Sequence, residues 1–210
     1  MARSRSSEAH EKVLRAALDL FAERGIDATS MDSIAQASGV SKATIYNHWV
    51  DKEALLMDVM EMIHGLDREP EDVDTGDLRR DLTTVLTRRP PDEFDAVRTR
   101  LMPAMIAYSA VHHEFGMKWR HRVMEPPRNC IRQILNRGIE QGLLPRDLDS
   151  EVAVSLLLGP VLYTHIFQKD RLPKAPDIGP KAAEAFWRAH RQARQQRIKK
   201  AGIKKPSAKK

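Results

Sequence analysis

The chain has 210 residues, 41% of them hydrophobic and 30% charged, with a formal net charge of +6 and one cysteine, Cys130. That length suffices for one or two domains with a substantial core. No apolar run approaches the roughly 20 residues of a membrane-crossing helix. The N-terminal MARSRSSEAHEK lacks the apolar stretch of a secretion signal, and a lone cysteine excludes an internal disulfide, so a reducing cytoplasm is the expected setting.

The charge is unevenly placed. Residues 188–210 carry ten Lys or Arg and no acid, leaving 25 basic against 29 acidic side chains elsewhere, a balance of −4. Within residues 1–65, seven basic side chains face ten acidic ones. The overall basicity therefore says nothing about the N-terminal part. An anion-binding role there must rest on where Arg3, Arg5, Lys42 and Lys52 stand, at the N-terminus or at helix starts.

In chain order, Glu8 to Arg24 predicts a helix: Leu14, Leu18 and Phe21 form one stripe, Val13, Ala17 and Leu20 widen it, and Gly25 ends it. Residues 29–53, TSMDSIAQASGVSKATIYNHWVDKE, then spell two short helices around a glycine turn and a third announced by an aspartate. Thr29 or Ser30 caps the first, with Asp32 three residues after Thr29, and Ile34 and Ala35 form its apolar face. Gly39 suits the left-handed residue that ends a helix, and Ser41 caps the next. In that helix, Ser41 to Trp49, Ile45 and Trp49 lie four apart and point inward, while Lys42 with Tyr46 and Ala43 with Asn47 face out. A short helix with a narrow apolar seam and a basic, aromatic, amide-bearing outer face is what a DNA major groove accepts.

Asp51 caps a helix to about Leu66, with Leu55, Leu56, Val59, Met60 and Ile63 inward. Residues 67–76, DREPEDVDTG, form an acidic loop, followed by a helix from Asp77 to Arg88 and the Pro90-Pro91 break. Asp92 caps a helix from Glu93 to about Ala110, with Phe94, Val97, Leu101, Met105 and Tyr108 inward; Pro103 should kink or split it. Residues 112–142 are one helix interrupted at Pro126-Pro127, or two that abut there, ended by Gly142 and Pro145. Asp149 to Gln168 is the most apolar helix. Val152, Val154, Leu156, Leu157, Leu158, Val161, Leu162, Ile166 and Phe167 cover more than one of its sides, so it either packs against a second copy or is wholly internal. Gly159-Pro160 would bend it and permit close backbone approach.

After a loop at 170–180, Lys181 to about Arg197 is amphipathic around Ala182, Ala185, Phe186 and Ala189. The last residues, IKKAGIKKPSAKK, are low in complexity and expected to be disordered, serving a nonspecific nucleic-acid contact or as a solubilising end. No strand alternation or internal repeat stands out, so the class is all-α. His113 and His121 share a helix face eight residues apart, too far to chelate alone, and no metal or cofactor is expected. There is no nucleophile–base pair and no phosphate-cradling glycine loop, so an enzyme is not expected.

GVSKATIYNHWVDKEAL, with AALDLFAERGIDATSMDSIAQASG before it, resembles the N-terminal domain of the tetracycline-repressor-like (TetR) family of bacterial transcription regulators. The match spans roughly the first 60 residues; Ala43 stands where glycine is frequent and Trp49 where phenylalanine is frequent. EFGMKWRHRV and LLPRDLDSEVAVSLLLGP, between Glu114 and Pro160, look like one common subtype. The resemblance implies a helix-turn-helix domain at 1–50, a helical effector-binding and dimerisation domain at 51–197, and a basic tail at 198–210. It implies a repressor released from a double-stranded DNA operator by a small-molecule effector. The other reading is an effector-independent DNA-binding or architectural protein.

On that resemblance the helix from Ser41 enters the major groove. Lys42 meets a guanine edge or a phosphate, Thr44 and Asn47 base edges, Ala43 a thymine methyl, and Tyr46 and His48 phosphates. Thr29 and Lys52, at the starts of the flanking helices, clamp phosphates on either side. Helices near 149–168 and 181–197 form a homodimer interface. Met102, Met105, Tyr108, Phe115, Trp119, Met124, Leu157 and Tyr163 line an effector pocket, or else are ordinary core packing.

Overall fold

The computed structural model describes residues 5–66, 73–88, 91–164 and 177–200, and the side chains among them other than those of 5, 6 and 191–200. All regular structure in these residues is helical. The helices are α1 (Arg5–Arg24), α2 (Met31–Ser38), α3 (Lys42–His48), α4 (Lys52–His64), α5 (Leu78–Thr87), α6 (Asp95–Val111), α7 (His113–Trp119), α8 (Glu125–Glu140), α9 (Ser150–Tyr163) and α10 (Ile178–Lys200). A 3₁₀ turn, Asp92–Phe94, precedes α6, and a π turn, Arg120–Met124, joins α7 to α8. Among the described residues, no helix is long and apolar enough to cross a membrane.

The chain packs as two units. The first comprises Met1–Glu71 and Arg89–Pro126. Its core takes Val13, Leu14, Ala17, Leu18 and Phe21 from α1, Ile34 from α2, Ile45 and Trp49 from α3 and its end, and Leu55 to Ile63 from α4. Leu101 and Met105 of α6, and Phe115 and Trp119 of α7, complete the same cluster. α4, α6 and α7 thus share one core with the helix-turn-helix, which the spacing of apolar residues does not foretell. The second unit comprises Asp72–Arg88 and Pro127–Lys210. Leu82 and Leu86 of α5, Ile131 and Leu135 of α8, Val154 and Leu157 of α9, and Ala183 and Phe186 of α10 form its core.

Several elements depart from expectation. Asp92 does not cap a helix; a 3₁₀ turn forms instead, closed by Phe94 N–H on the Pro91 carbonyl, and α6 starts three residues later. α6 continues through Pro103 without splitting. Of the two readings of residues 112–142, the structure has the second, helical runs that abut near Pro126 and Pro127. The two prolines sit in the first turn of α8, and the chain before them widens into the π turn, where Glu125 N–H reaches back five residues to the Arg120 carbonyl. Prolines lack the N–H that a regular helix would need there, and the widening redistributes the unmatched carbonyls. Gln168 lies outside the described residues, and α9 is described to Tyr163. α10 runs to Lys200, three residues into the segment expected to be disordered.

One buried and one half-buried polar group carry consequences. In the second unit, Asp81 is fully buried. It accepts from the Thr75 N–H and hydroxyl and pairs with Arg137 Nη2 at 3.0 Å, while Arg137 also reaches Asp74 and the Val73 carbonyl. This knot fixes the residues leading into α5 against α8. Removing Asp81 strips Arg137 of its buried partner and the Thr75 N–H and hydroxyl of their acceptor. Asp81→Ala is therefore expected to destabilise the second unit by about 3 kcal/mol, measured by urea unfolding.

In the first unit, His64 Nδ1 lies 2.7 Å from the Met60 carbonyl, a geometry that requires the Nδ1–H tautomer. Burial holds its pKa below the ordinary imidazole value, with nearby Arg98 adding to the depression against the opposing Met60 carbonyl. The unfolded chain then binds the proton more readily than the folded one. Stability is intact above the unfolded pKa, about 6.5, and falls as pH drops below it toward the folded value. Equilibrium unfolding across this range should show that decline in the wild type and a smaller one in His64→Gln.

Candidate nucleic-acid interface

α1 ends at Gly25, whose φ of +86° is open to glycine at little cost. Ser30 caps α2 by accepting from Ser33 N–H, and Ser33 returns the bond to the Ser30 N–H. Gly39, at φ +68°, closes α2 on the Ala35 carbonyl and turns the chain into α3. Ser41 caps α3 by accepting from Thr44 N–H, and Asp51 caps α4 by accepting from Ala54 N–H. Ser30, Gly39, Ser41 and Asp51 thus set α2, α3 and α4 by short-range bonds alone.

α3 has seven residues. Ile45 and Trp49 are buried at 1% and 2% exposure, whereas Lys42, Ala43, Tyr46, Asn47 and His48 are exposed. Each buried side chain contributes about 2 kcal/mol of apolar burial, enough to fix which face of so short a helix looks out. Trp49 also donates its indole N–H to Asp58 Oδ2 at 2.8 Å, tying the end of α3 to the middle of α4. His10 of α1 lies against the Trp49 ring at 4.6 Å and edge-on to His48 at 5.5 Å. Burial holds the His10 pKa down, His48 adding to this while Asp58 opposes it. His10 did not emerge from the sequence, although it lies four residues before Leu14 on the same stripe of α1.

The cations beside α3 are engaged within the chain. Lys42 pairs with Asp32 at 2.7 Å, both side chains more than half exposed. Lys52 donates to the Ile26 carbonyl at 2.7 Å and to that of Asp27 at 3.4 Å, closing the turn between α1 and α2. Thr44 is half-buried and shares a hydrogen bond with the Ser41 hydroxyl at 2.8 Å. Thr29 departs from the expected placement. It is 2% exposed and does not cap α2; its hydroxyl donates to the carbonyls of Gly25 and Leu20, so the side chain faces the core and the exposed cap is Ser30. Thr29→Val should lower stability by about 1 kcal/mol while leaving the salt dependence of DNA binding unchanged, by thermal unfolding and by titration at several salt concentrations.

The expected pocket residues divide between the units. Met105, Tyr108, Phe115 and Trp119 are buried in the first core, with Met102 and Met124 packed against it. Leu157 belongs to the second core, and Tyr163 is 55% exposed on α9. The Trp119 indole N–H is buried with no partner among the described residues. Tyr108 donates to Glu53 Oε1 at 3.0 Å and stacks on His112 at 3.8 Å; burial, then the Glu53 carboxylate, hold its phenol well above the ordinary value, so it stays protonated. Among the described residues, no group of three His, Cys, Asp or Glu is arranged to hold a metal ion.

A glycine-turned pair of helices whose second member presents an exposed polar ridge over a buried seam defines a helix-turn-helix protein. The model of the tetR family of bacterial regulatory proteins matches residues 13–59, and that of the tetracyclin repressor-like C-terminal domain matches residues 72–178, half of the chain. The uncharacterized HTH-type transcriptional regulator YdeS of Bacillus subtilis is 33% identical over 170 residues, covering 81% of this chain and 84% of that one. The HTH-type transcriptional regulator AcrR of Shigella flexneri is 32% identical over 173 residues, covering 76% and 79%. A solved TetR transcription regulator from Haloarcula marismortui shares the fold, with a TM-score of 0.65 at 20% identity over 88% of this chain and 98% of that one. The chain belongs to the TetR family of helix-turn-helix, DNA-binding transcriptional regulators.

Proposed function

We propose that the protein is a homodimeric cytoplasmic repressor whose two α3 helices enter successive major grooves of an operator and lose that fit when a small apolar effector binds. The observation that carries this reading is the outward ridge of α3. Asn47 suits a bidentate contact to adenine, Lys42 a guanine edge or phosphate, and Ala43 a thymine methyl. Tyr46 and His48 reach the backbone, with Ser41 and Ser30 at helix starts and Lys52 beside them. Thr44, half-buried, touches a base only by sharing its hydroxyl with Ser41.

One reading helix spans only a half-site, which favours a dimer. α9 supports one: Ala153, Val154 and Leu157 are buried in the second unit, while Val152, Leu156 and Tyr163 are 53%, 59% and 55% exposed on a stripe through Gly159. A Cβ at Gly159 would meet nothing within 4 Å among the described residues, so the close backbone approach expected there is left for a second copy. α9 and α10 together would supply the interface. For the effector, Met102, Met105, Tyr108, Phe115, Trp119 and Met124 share one core, and Trp119 offers a donor that no described residue satisfies. An unmet buried N–H costs about 1–3 kcal/mol, which a ligand bearing an acceptor would recover. Differential affinity for one arrangement of the reading helices then shifts the dimer away from DNA.

The test begins by selecting bound duplexes from random DNA with the wild-type protein. Two half-sites about one or two helical turns apart are expected. Asn47→Ala should weaken binding to the selected duplex by about 1–3 kcal/mol and relax the preference at one position of each half-site. No enriched motif, or unchanged affinity of Asn47→Ala, refutes the reading. Constant affinity across a panel of apolar metabolites refutes the effector part alone.

A further inference from the structure

Beyond α3 itself, one charged side chain is placed to govern it. Arg122 stands in the π turn, and its guanidinium forks onto Glu61: Nε donates to Oε1 and Nη2 to Oε2, both at 2.7 Å. Nη2 also reaches Asp58 Oδ1 at 3.3 Å. The other oxygen of that same carboxylate, Oδ2, accepts the Trp49 indole N–H at 2.8 Å. Asp58 is therefore divided, one oxygen held by the π turn and the other holding the residue that closes α3.

The indole is a donor only, so it needs a fixed acceptor, and the acceptor needs a fixed rotamer. A half-exposed aspartate has a broad terminal torsion. A neighbouring guanidinium, itself locked by a two-bond fork to Glu61, removes that freedom. Where phenylalanine, frequent at this position in the family resembled, replaces tryptophan, there is no N–H for Asp58 to hold. This linkage is thus a feature of this chain's own residues. His10 also packs on the Trp49 ring, at 4.6 Å between centroids.

We infer that Arg122 is a positioning residue for DNA reading: through Asp58 it holds the Trp49 indole, and with it the end of α3, in the orientation that turns Tyr46 and Asn47 outward. The inference rests on α3 being the groove-entering helix. Arg122 is 45% exposed and Asp58 32%, so removing the guanidinium disturbs orientation far more than it disturbs the core.

The experiment measures affinity for the duplex that the wild-type protein selects from random DNA, for Arg122→Met, Arg122→Lys, Trp49→Phe and the Arg122→Met/Trp49→Phe pair, with thermal melts of each. Arg122→Met should weaken binding roughly tenfold, the order expected when one charge-assisted bond is lost. Its salt dependence should stay that of the wild type, whereas loss of a direct phosphate contact would flatten it by about one counterion. Arg122→Lys should recover most of the affinity. In the Trp49→Phe background, Arg122→Met should add nothing, because both changes cut the same linkage.

Unchanged affinity of Arg122→Met, losses that multiply in the double variant, or a salt dependence flattened by about one counterion would each overturn the inference. Should Arg122→Met fail to fold, Asp58→Asn takes its place, keeping size and an acceptor but losing the charge, and must show the same loss and the same non-additivity with Trp49→Phe. Asn47→Ala runs beside these variants. If it too binds like the wild type, the placement of α3 in the groove has failed; if it alone binds weakly, only the inference about Arg122 has.

Discussion

A seven-residue helix does not keep its shape in water, because the cost of the first turn is repaid only over a longer run. α3 exists because the rest of the first unit holds it. Ile45 seats its middle, Ser41 caps its start, and Trp49 closes its end while burying a large ring and giving its one polar hydrogen to Asp58. Everything the outer face can do follows from that anchorage. Asn47 and Tyr46 have a defined direction only because residues two or three positions away have none left to choose.

The same region shows how local rules and long-range ones differ in legibility. Ser41, Asp51 and Gly39 are assigned correctly by spacing alone, since a cap bonds to atoms two to four residues away. The stripe of α1 is equally plain, because helical periodicity is itself local. The choice between Thr29 and Ser30 is not local. Both can cap, and Thr29 is drawn inward by the carbonyls of Leu20 and Gly25, the first nine residues away. Asp81 with Arg137, 56 residues apart, and Asp58 with Arg122, 64 apart, leave no mark on any window of sequence. The prolines at 126 and 127 leave two readings open in the sequence, an interrupted helix or two that abut, and the second is found. Their rule forbids a helix interior, and the chain obeys by starting a new turn there.

The candidate interface is also economical in free charge. Residues 1–65 have fewer basic than acidic side chains, and the two lysines nearest α3 already have partners, Lys42 in Asp32 and Lys52 in two carbonyls. A phosphate arriving there exchanges one partner for another and does not simply meet a bare cation. If α3 enters the groove as proposed, long-range attraction to any duplex is correspondingly modest at this face, and base-edge contacts would carry a larger share of the discrimination.

At the start of α10, the backbone of Gly179 runs so close to α5 that a methyl group would sit 2.3 Å from the Leu86 carbonyl oxygen. That gap is smaller than two touching atoms allow, and the obstacle is main chain, which has no rotamer to change. Drift at this position is therefore filtered one atom at a time. Even alanine would lever α10 off its neighbour, carrying Ala183 and Phe186 with it, so change elsewhere in the helix must proceed around a fixed pivot.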